Sequence, residues 1–202
     1  MTPIHVEGRT WWKRFIAVFV LSLFAVGTLM LAMARGAIGA SFAVADPNFK
    51  ISAGQLRGSG FAQFGSVDQT NGIHPAAVTV IKSASIDNFC QSVVARSVPG
   101  IGDISVVVRA TGPDSVQANN LVVNIADLAG GKVSFHDVNI GLDANQLRKG
   151  TPGVEGAPES FAQQADRVVL DNVRITAWRT TASTLTLNKT TLTVTSSSSG
   201  CF

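Results

Sequence analysis

Apolar and polar positions divide the 202-residue chain into two parts. From Phe15 to Met33 the run FIAVFVLSLFAVGTLMLAM carries no charge, with only Ser22, Gly27 and Thr28 as weak interruptions. Written as a helix it rises about 28 Å, close to the hydrocarbon thickness of a bilayer. Beyond residue 45 no long helical spacing remains, and apolar residues recur at every second position, the period of half-buried strands. VTVIKSASI (78–86), LVVNIADLA (121–129), VSFHDVNIG (133–141), VVLDNVRIT (168–176) and LTLNKTTLT (185–193) share a plan. Apolar residues two apart are followed by a central step, often with Asn or Asp, and then by a second apolar pair. A short polar residue at the step lets the chain turn or bulge and resume on the same face. FKISAGQLR (49–57) reads as a worn first copy. Irregular spacing between copies argues against a β-helix of fixed repeat length. An all-β domain, either an antiparallel sandwich or a curled sheet with degenerate strand repeats, fits better.

The connectors punctuate this pattern. PGIGD (99–103), TGPDS (111–115) and GTPGVEGAPE (150–159) are Gly/Pro turns or loops, and GSGFAQFG (58–65) reads as a Gly-rich bend. Two short helical turns are expected, one capped by Asp143 over ANQLRK before Gly150 and one opened by Ser160 over FAQQAD.

Charge sharpens the division. Through residue 35 there are four basic residues (Arg9, Lys13, Arg14, Arg35) against Glu7, whereas the remainder carries 12 basic and 12 acidic residues. The excess therefore belongs to the N-terminal segment, and no basic nucleic-acid-binding face is indicated. Three of those basic residues precede the apolar run, and Trp11 and Trp12 would sit at its interface. The expected topology is a cytoplasmic basic N-terminus at 1–14, a transmembrane helix or signal h-region at 15–34, a linker at 35–48, and an exported domain at 49–202. Two readings of the segment stay open. The run is long for a cleaved signal, but Ala43-Val44-Ala45 offers a small-residue exit. A retained anchor gives a cell-membrane protein with its C-terminal domain outside, and cleavage gives a secreted one.

Cys90 and Cys201 are the only cysteines, with no CxxC and no nearby histidine cluster. In an oxidising compartment such a pair is most simply a disulfide, which ties the Ser-rich tail to the middle of the domain; two separate buried thiols are the alternative.

Candidate chemistry is sparse. No G-x-S-x-G nucleophile elbow occurs. Ser59 lies between glycines in what reads as a flexible turn, His74 precedes Pro75 in an expected loop, and His136 is the other base available beyond the apolar run. A triad of Ser59, His136 and Asp137 is awkward, because adjacent strand residues face opposite ways. The Gly-rich stretch matches neither a phosphate-binding loop nor a dinucleotide fingerprint, and the Asp143 turn lacks a calcium loop's repeated carboxylates. No cofactor or metal is therefore expected. Asn188-Lys189-Thr190 matches the glycosylation sequon on an alternating strand. Trp178, between Arg174 and Arg179, is either a ligand-facing aromatic or partly buried packing. The physical route to a function is the apolar interior of a curled sheet, filled by its own side chains by default and otherwise open to a lipid.

RGAIGASFAV at the exit, NFCQSV around Cys90, FAQQADRVVL at 161–170, TAW at 176–178 and the terminal GCF together resemble an actinobacterial family of uncharacterised envelope proteins. Its members often carry the label cholesterol esterase. The resemblance implies one N-terminal hydrophobic segment, two cysteines placed like Cys90 and Cys201, and a small multi-pass membrane protein as partner. It supplies no catalytic residues. The expectation is an exported, membrane-anchored or secreted envelope protein with a non-catalytic binding or structural β domain, directed to lipid or a membrane partner. The alternative is a lipid-ester hydrolase.

Overall fold

A computed structural model describes residues 11–34, 48–69, 72–98, 102–198 and 200–202. The chain forms two units, Met1–Ala43 and Val44–Phe202. In the first, helix α1 spans Trp12–Ala34, and its side chains are described through Thr28. Each of these is exposed, including Phe15, Phe19, Leu21, Leu23 and Phe24. The Ser22 and Thr28 hydroxyls donate to the Phe19 and Ala25 carbonyls at 2.8 and 2.9 Å, so the run's polar interruptions are satisfied within the helix. Among the described residues no helix is long and apolar enough to cross a membrane. The expected span, 15–34, is helical throughout, with side chains described as far as Thr28, whereas the 43–45 exit and nearly all of the expected linker lie outside the described residues.

The second unit is antiparallel β-structure: β1 (Phe49–Asp68), β2 (His74–Asp87), β3 (Phe89–Val98), β4 (Gly102–Ala110), β5 (Val116–Ala129), β6 (Lys132–His136), β7 (Asn139–Asp143), β8 (Phe161–Thr181), β9 (Thr184–Leu187) and β10 (Thr190–Thr195). The register groups them into longer arms. β2 and β3 follow one path along β1, while β4 and β5 return along that path with the 111–115 turn between them. β5, β6 and β7 succeed one another along β8, and β9 and β10 carry that last arm on past β5 and β4. Because β8 also pairs β1 from Phe49–Ala177 to Phe64–Ala162, the ring β1-β2-β5-β8 closes. The curled-sheet expectation therefore describes the architecture.

Closure is steeply staggered. Ala62 is opposite Val80, Val80 opposite Val122, and Val122 opposite Thr181. Yet Thr181 lies beyond the Ala177–Phe49 pair at the end of the β8–β1 ladder. One circuit thus shifts the register along the strands, which widens a ring of few strands.

The repeated central steps act as corners. Asp137, Asn172 and Lys189 occupy the steps of three sequence copies and have left-handed φ of 53°, 52° and 49°. Asn88 and Asn120, both at φ 50°, do the same elsewhere. These corners align across neighbouring arms. Gly54 lies between Asn88 and Asn172 in the two ladders it joins, while Gly60 shares a level with Asn120, Asp166 and Asp137. Strands that bend at the same level let the sheet fold along common lines.

Alternation then sorts side chains into two clusters. Leu56, Phe61, Ile81, Val123, Val168 and Leu170 belong to the main core, and Ala62, Phe64, Val78 and Val80 to a second. The second cluster is covered by the 144–156 segment through Ala144, Leu147 and Val154. That segment is held by Gln164 Oε1, which accepts from the Arg148 and Lys149 amides at 2.8 and 3.1 Å, and by Lys149–Asp166 at 2.8 Å.

Several local expectations change. The Asp143 cap is present, with its carboxylate accepting from the Asn145 amide, but it opens only a short turn at Ala144–Gln146. FAQQAD is the start of β8 and not helical; Ala162, Gln164 and Ala165 are buried in the sheet. Gly58-Ser59-Gly60 lies within β1 and not in a flexible turn, and His74-Pro75 opens β2 and not a loop. The 111–115 and 150–159 connectors are turns and loop as expected, whereas residues 99–101 lie outside the described set.

Cys90 and Cys201 stand at disulfide distance, Sγ–Sγ 1.96 Å. The tail is further fixed by the Cys201 amide donating to Ser92 Oγ at 3.0 Å and by Lys50 Nζ donating to the Phe202 carbonyl at 2.9 Å.

Candidate functional site

Inward-facing positions on β1, β2, β5, β6 and β8 do not fill the ring. They leave a cavity of about 300 Å³ lined by Phe61, Ile81, Val123, Ile125, Phe135, Val168, Leu170 and Ile175, with Leu128 and Val133 at its rim. Leu128 and Val133 are 38% and 42% exposed, unlike the buried residues behind them, and so mark the mouth. Phe61 and Phe135 form one wall, their ring centroids 5.3 Å apart. A Cβ on Gly58 would lie 2.8 Å from Ile81 Cγ2 and 3.0 Å from Val168 Cγ1. The space is therefore pinched shut at that level.

The cavity has one polar end. Gln163 Nε2 donates to Gln63 Oε1 at 2.6 Å, and Gln63 Nε2 donates to Thr79 Oγ1 at 2.8 Å. Gln63 and Thr79 are the polar lining residues, and no lining residue is charged. A cavity twice the size of the ~150 Å³ that holds benzene in an engineered protein core has room for a larger apolar group.

The residues singled out for catalysis are not brought together. Arg167 of β8 is opposite Ser59 on one side and His136 on the other. All three are exposed, and a whole strand separates the serine from the histidine. Asp137 turns at the next corner, where its carbonyl accepts from Lys149 Nζ at 2.7 Å. His74 stacks on Trp178 with centroids 4.1 Å apart, which makes Trp178 a packing residue outside the cavity lining. Asn188 is exposed in the turn between β9 and β10, its amide donating to the Ser115 carbonyl at 2.8 Å. Among the described residues no group of three or more His, Cys, Asp or Glu is arranged to hold a metal ion.

Sequence reasoning missed the Gln163–Gln63–Thr79 chain and a buried pair in which Asn124 Nδ2 donates to Asp68 Oδ2. The available signal was a polar residue in phase with apolar neighbours, as Gln63 is with Phe61.

The strongest electrostatic feature is a clamp on the 111–115 turn. Arg57 bonds Asp87 through both terminal nitrogens at 2.9 Å and Asp114 at 2.7 Å; the Ser85 hydroxyl also donates to Asp114. The Arg57 bond holds the Asp87 carboxyl below its ordinary range, and Ser85 followed by Arg57 does the same for Asp114. A carboxylate depressed in the folded state contributes stability above its unfolded value, so this contribution is present above about pH 5 and fades as pH falls through the folded values. Asp114→Asn is expected to lower the urea midpoint at pH 7 and to have less effect at pH 2.5, as measured by matched denaturation curves.

No curated protein and no solved structure matches the chain. The model of a family of unknown function, DUF6230, matches residues 45–202, all but the first residue of the β unit. The chain, a staggered four-arm ring around an apolar cavity, belongs to that family.

Proposed function

We propose that this is an exported envelope protein, anchored by α1 or secreted after its removal, whose β unit binds a lipid-like apolar ligand. The cavity carries this reading: about 300 Å³, an almost wholly apolar lining and a mouth at Leu128 and Val133. The size falls within the range of natural ligand pockets. Support for membrane attachment comes from the run of exposed apolar residues along α1, which water alone would not tolerate well. A cysteine pair at disulfide distance suits an oxidising compartment. A small multi-pass membrane protein is the proposed partner, consistent with an anchored location.

The test is titration of the purified full chain with the neutral fluorescent probe N-phenyl-1-naphthylamine. Wild type should bind it. Val133→Trp, which places an indole across the mouth at a partly exposed position, should weaken binding by about tenfold or more while leaving the thermal midpoint nearly unchanged. Probe binding insensitive to Val133→Trp would place the ligand elsewhere and end this reading. Turnover of short p-nitrophenyl esters that is lost in Ser59→Ala or His136→Ala would replace it with the hydrolase alternative.

A further inference from the structure

We infer that the cavity selects neutral ligands that carry one hydrogen-bond acceptor, such as an alcohol, ketone or ester, over both plain hydrocarbons and ionised acids. The inference rests on the cavity-binding reading and specifies its substrate class.

Directly opposed residues in antiparallel strands share a face. Following the ladders from the polar end, Gln163 is opposite Gln63, Gln63 opposite Thr79, Thr79 opposite Val123, and Val123 opposite Thr180. These residues form one inward row across the ring. Along it, the Gln163 amide donates to Gln63, and Gln63 donates to Thr79. The relay ends at Thr79, whose oxygen is already used as an acceptor while its hydroxyl hydrogen has no acceptor among the described residues. Thr79 is 7% exposed and lines the cavity. Two places further along the row, Thr180 Oγ1 is buried with no hydrogen-bond partner among the described residues. Two hydroxyls flanking Val123 are thus left with unused hydrogen-bonding capacity, which is costly away from water.

A ligand oxygen at this end accepts the Thr79 hydrogen while the rest of the molecule lies against Phe61, Ile125 and Leu170. A hydrocarbon of the same shape leaves the hydroxyl unsatisfied. An ionised carboxylate fares worse, because the lining contains no Lys or Arg to compensate a buried charge. Sites built to bond a polar group discriminate against analogues that lack it, since the site's own group is then stranded.

Three probes of similar shape separate these cases: 2-naphthol, 2-methylnaphthalene and 2-naphthoate, titrated into the full chain in amphipol at pH 7 with probe fluorescence and thermal midpoint as readouts. Wild type should bind 2-naphthol roughly tenfold more tightly than 2-methylnaphthalene, and 2-naphthoate at least about 100-fold more weakly than 2-naphthol. Thr79→Val should equalise 2-naphthol and 2-methylnaphthalene while leaving binding of the latter unchanged, and Thr79→Ser should keep the preference. Equal binding of these two probes to wild type, as expected if water alone satisfies the hydroxyls, overturns the selectivity and leaves cavity binding intact. Tightest binding of 2-naphthoate overturns it as well. If none of the probes binds, the cavity reading itself fails.

Discussion

Reduction of the Cys90–Cys201 pair, or Cys201→Ser, is expected to lower the thermal midpoint by roughly 10–15 °C. The two residues are 111 positions apart. In the chain-entropy model a link of that span removes enough freedom from the unfolded chain to stabilise the fold by up to about 4.8 kcal/mol. For a domain of this size each kcal/mol moves the midpoint by about 2–4 °C. The contacts left after reduction are weak substitutes: the Cys201 amide bond to Ser92, the Lys50 bond to the Phe202 carbonyl, and Lys50 and Arg174 near the Phe202 ring. β10 also depends on the link, because among the described residues it pairs only β4, and all its residues are exposed. Calorimetry with and without reductant checks this. A shift below about 3 °C would mean that the link does not constrain the unfolded chain as the entropy model requires.

The second large effect is expected at Gly60. Its φ of +66° already disfavours any side chain, and a Cβ there would stand 2.6 Å from the Lys149 carbonyl oxygen and 2.8 Å from Lys82 Cβ. Backbone cannot yield as a flexible side chain does. Gly60→Ala should therefore cost about 3 kcal/mol, the left-handed penalty and overpacking together. It should also lift the 144–156 segment, seen as faster proteolytic cleavage there. Gly65→Ala is the control, since nothing lies within 4 Å of its Cβ position, and replacing glycine within a strand is expected to be neutral or slightly stabilising. Urea denaturation of both variants makes the comparison. Equal midpoints would show that the Lys149 segment moves aside without cost.

The contrast between these glycines shows where sequence reasoning reached its limit. Alternation made the strands legible, and the polar steps at Asp137 and Asn172 foretold corners that return the chain to the same face. Gly58 and Gly60 looked like punctuation because a glycine required by close approach reads the same as one required by a turn. Their true constraint comes from Ile81, Val168 and Lys149, distant in sequence. FAQQAD misled for a related reason: Ala162 packs in the second cluster and Ala165 in the main core, so both strand faces are buried and no alternation survives. The apolar interior was anticipated, with a self-filled core as the default and an open one as the alternative; the cavity matches the alternative. Whether a ring of strands fills its own centre depends on the stagger with which β8 meets β1, a property of paired registers and not of any single segment.

That same pairing makes the ring's closing contacts non-local. β1 is the earliest arm of the ring, yet one of its edges waits for β8, whose Ala177 is opposite Phe49. Without β8 the first three arms would be an open sheet with its apolar face uncovered and a free edge on β1. Contacts this distant in sequence make for slow folding, in the range of milliseconds to seconds for non-local β topologies. The fourth arm covers that face and pairs both edges, so closure of the ring rests on contacts between residues far apart in sequence.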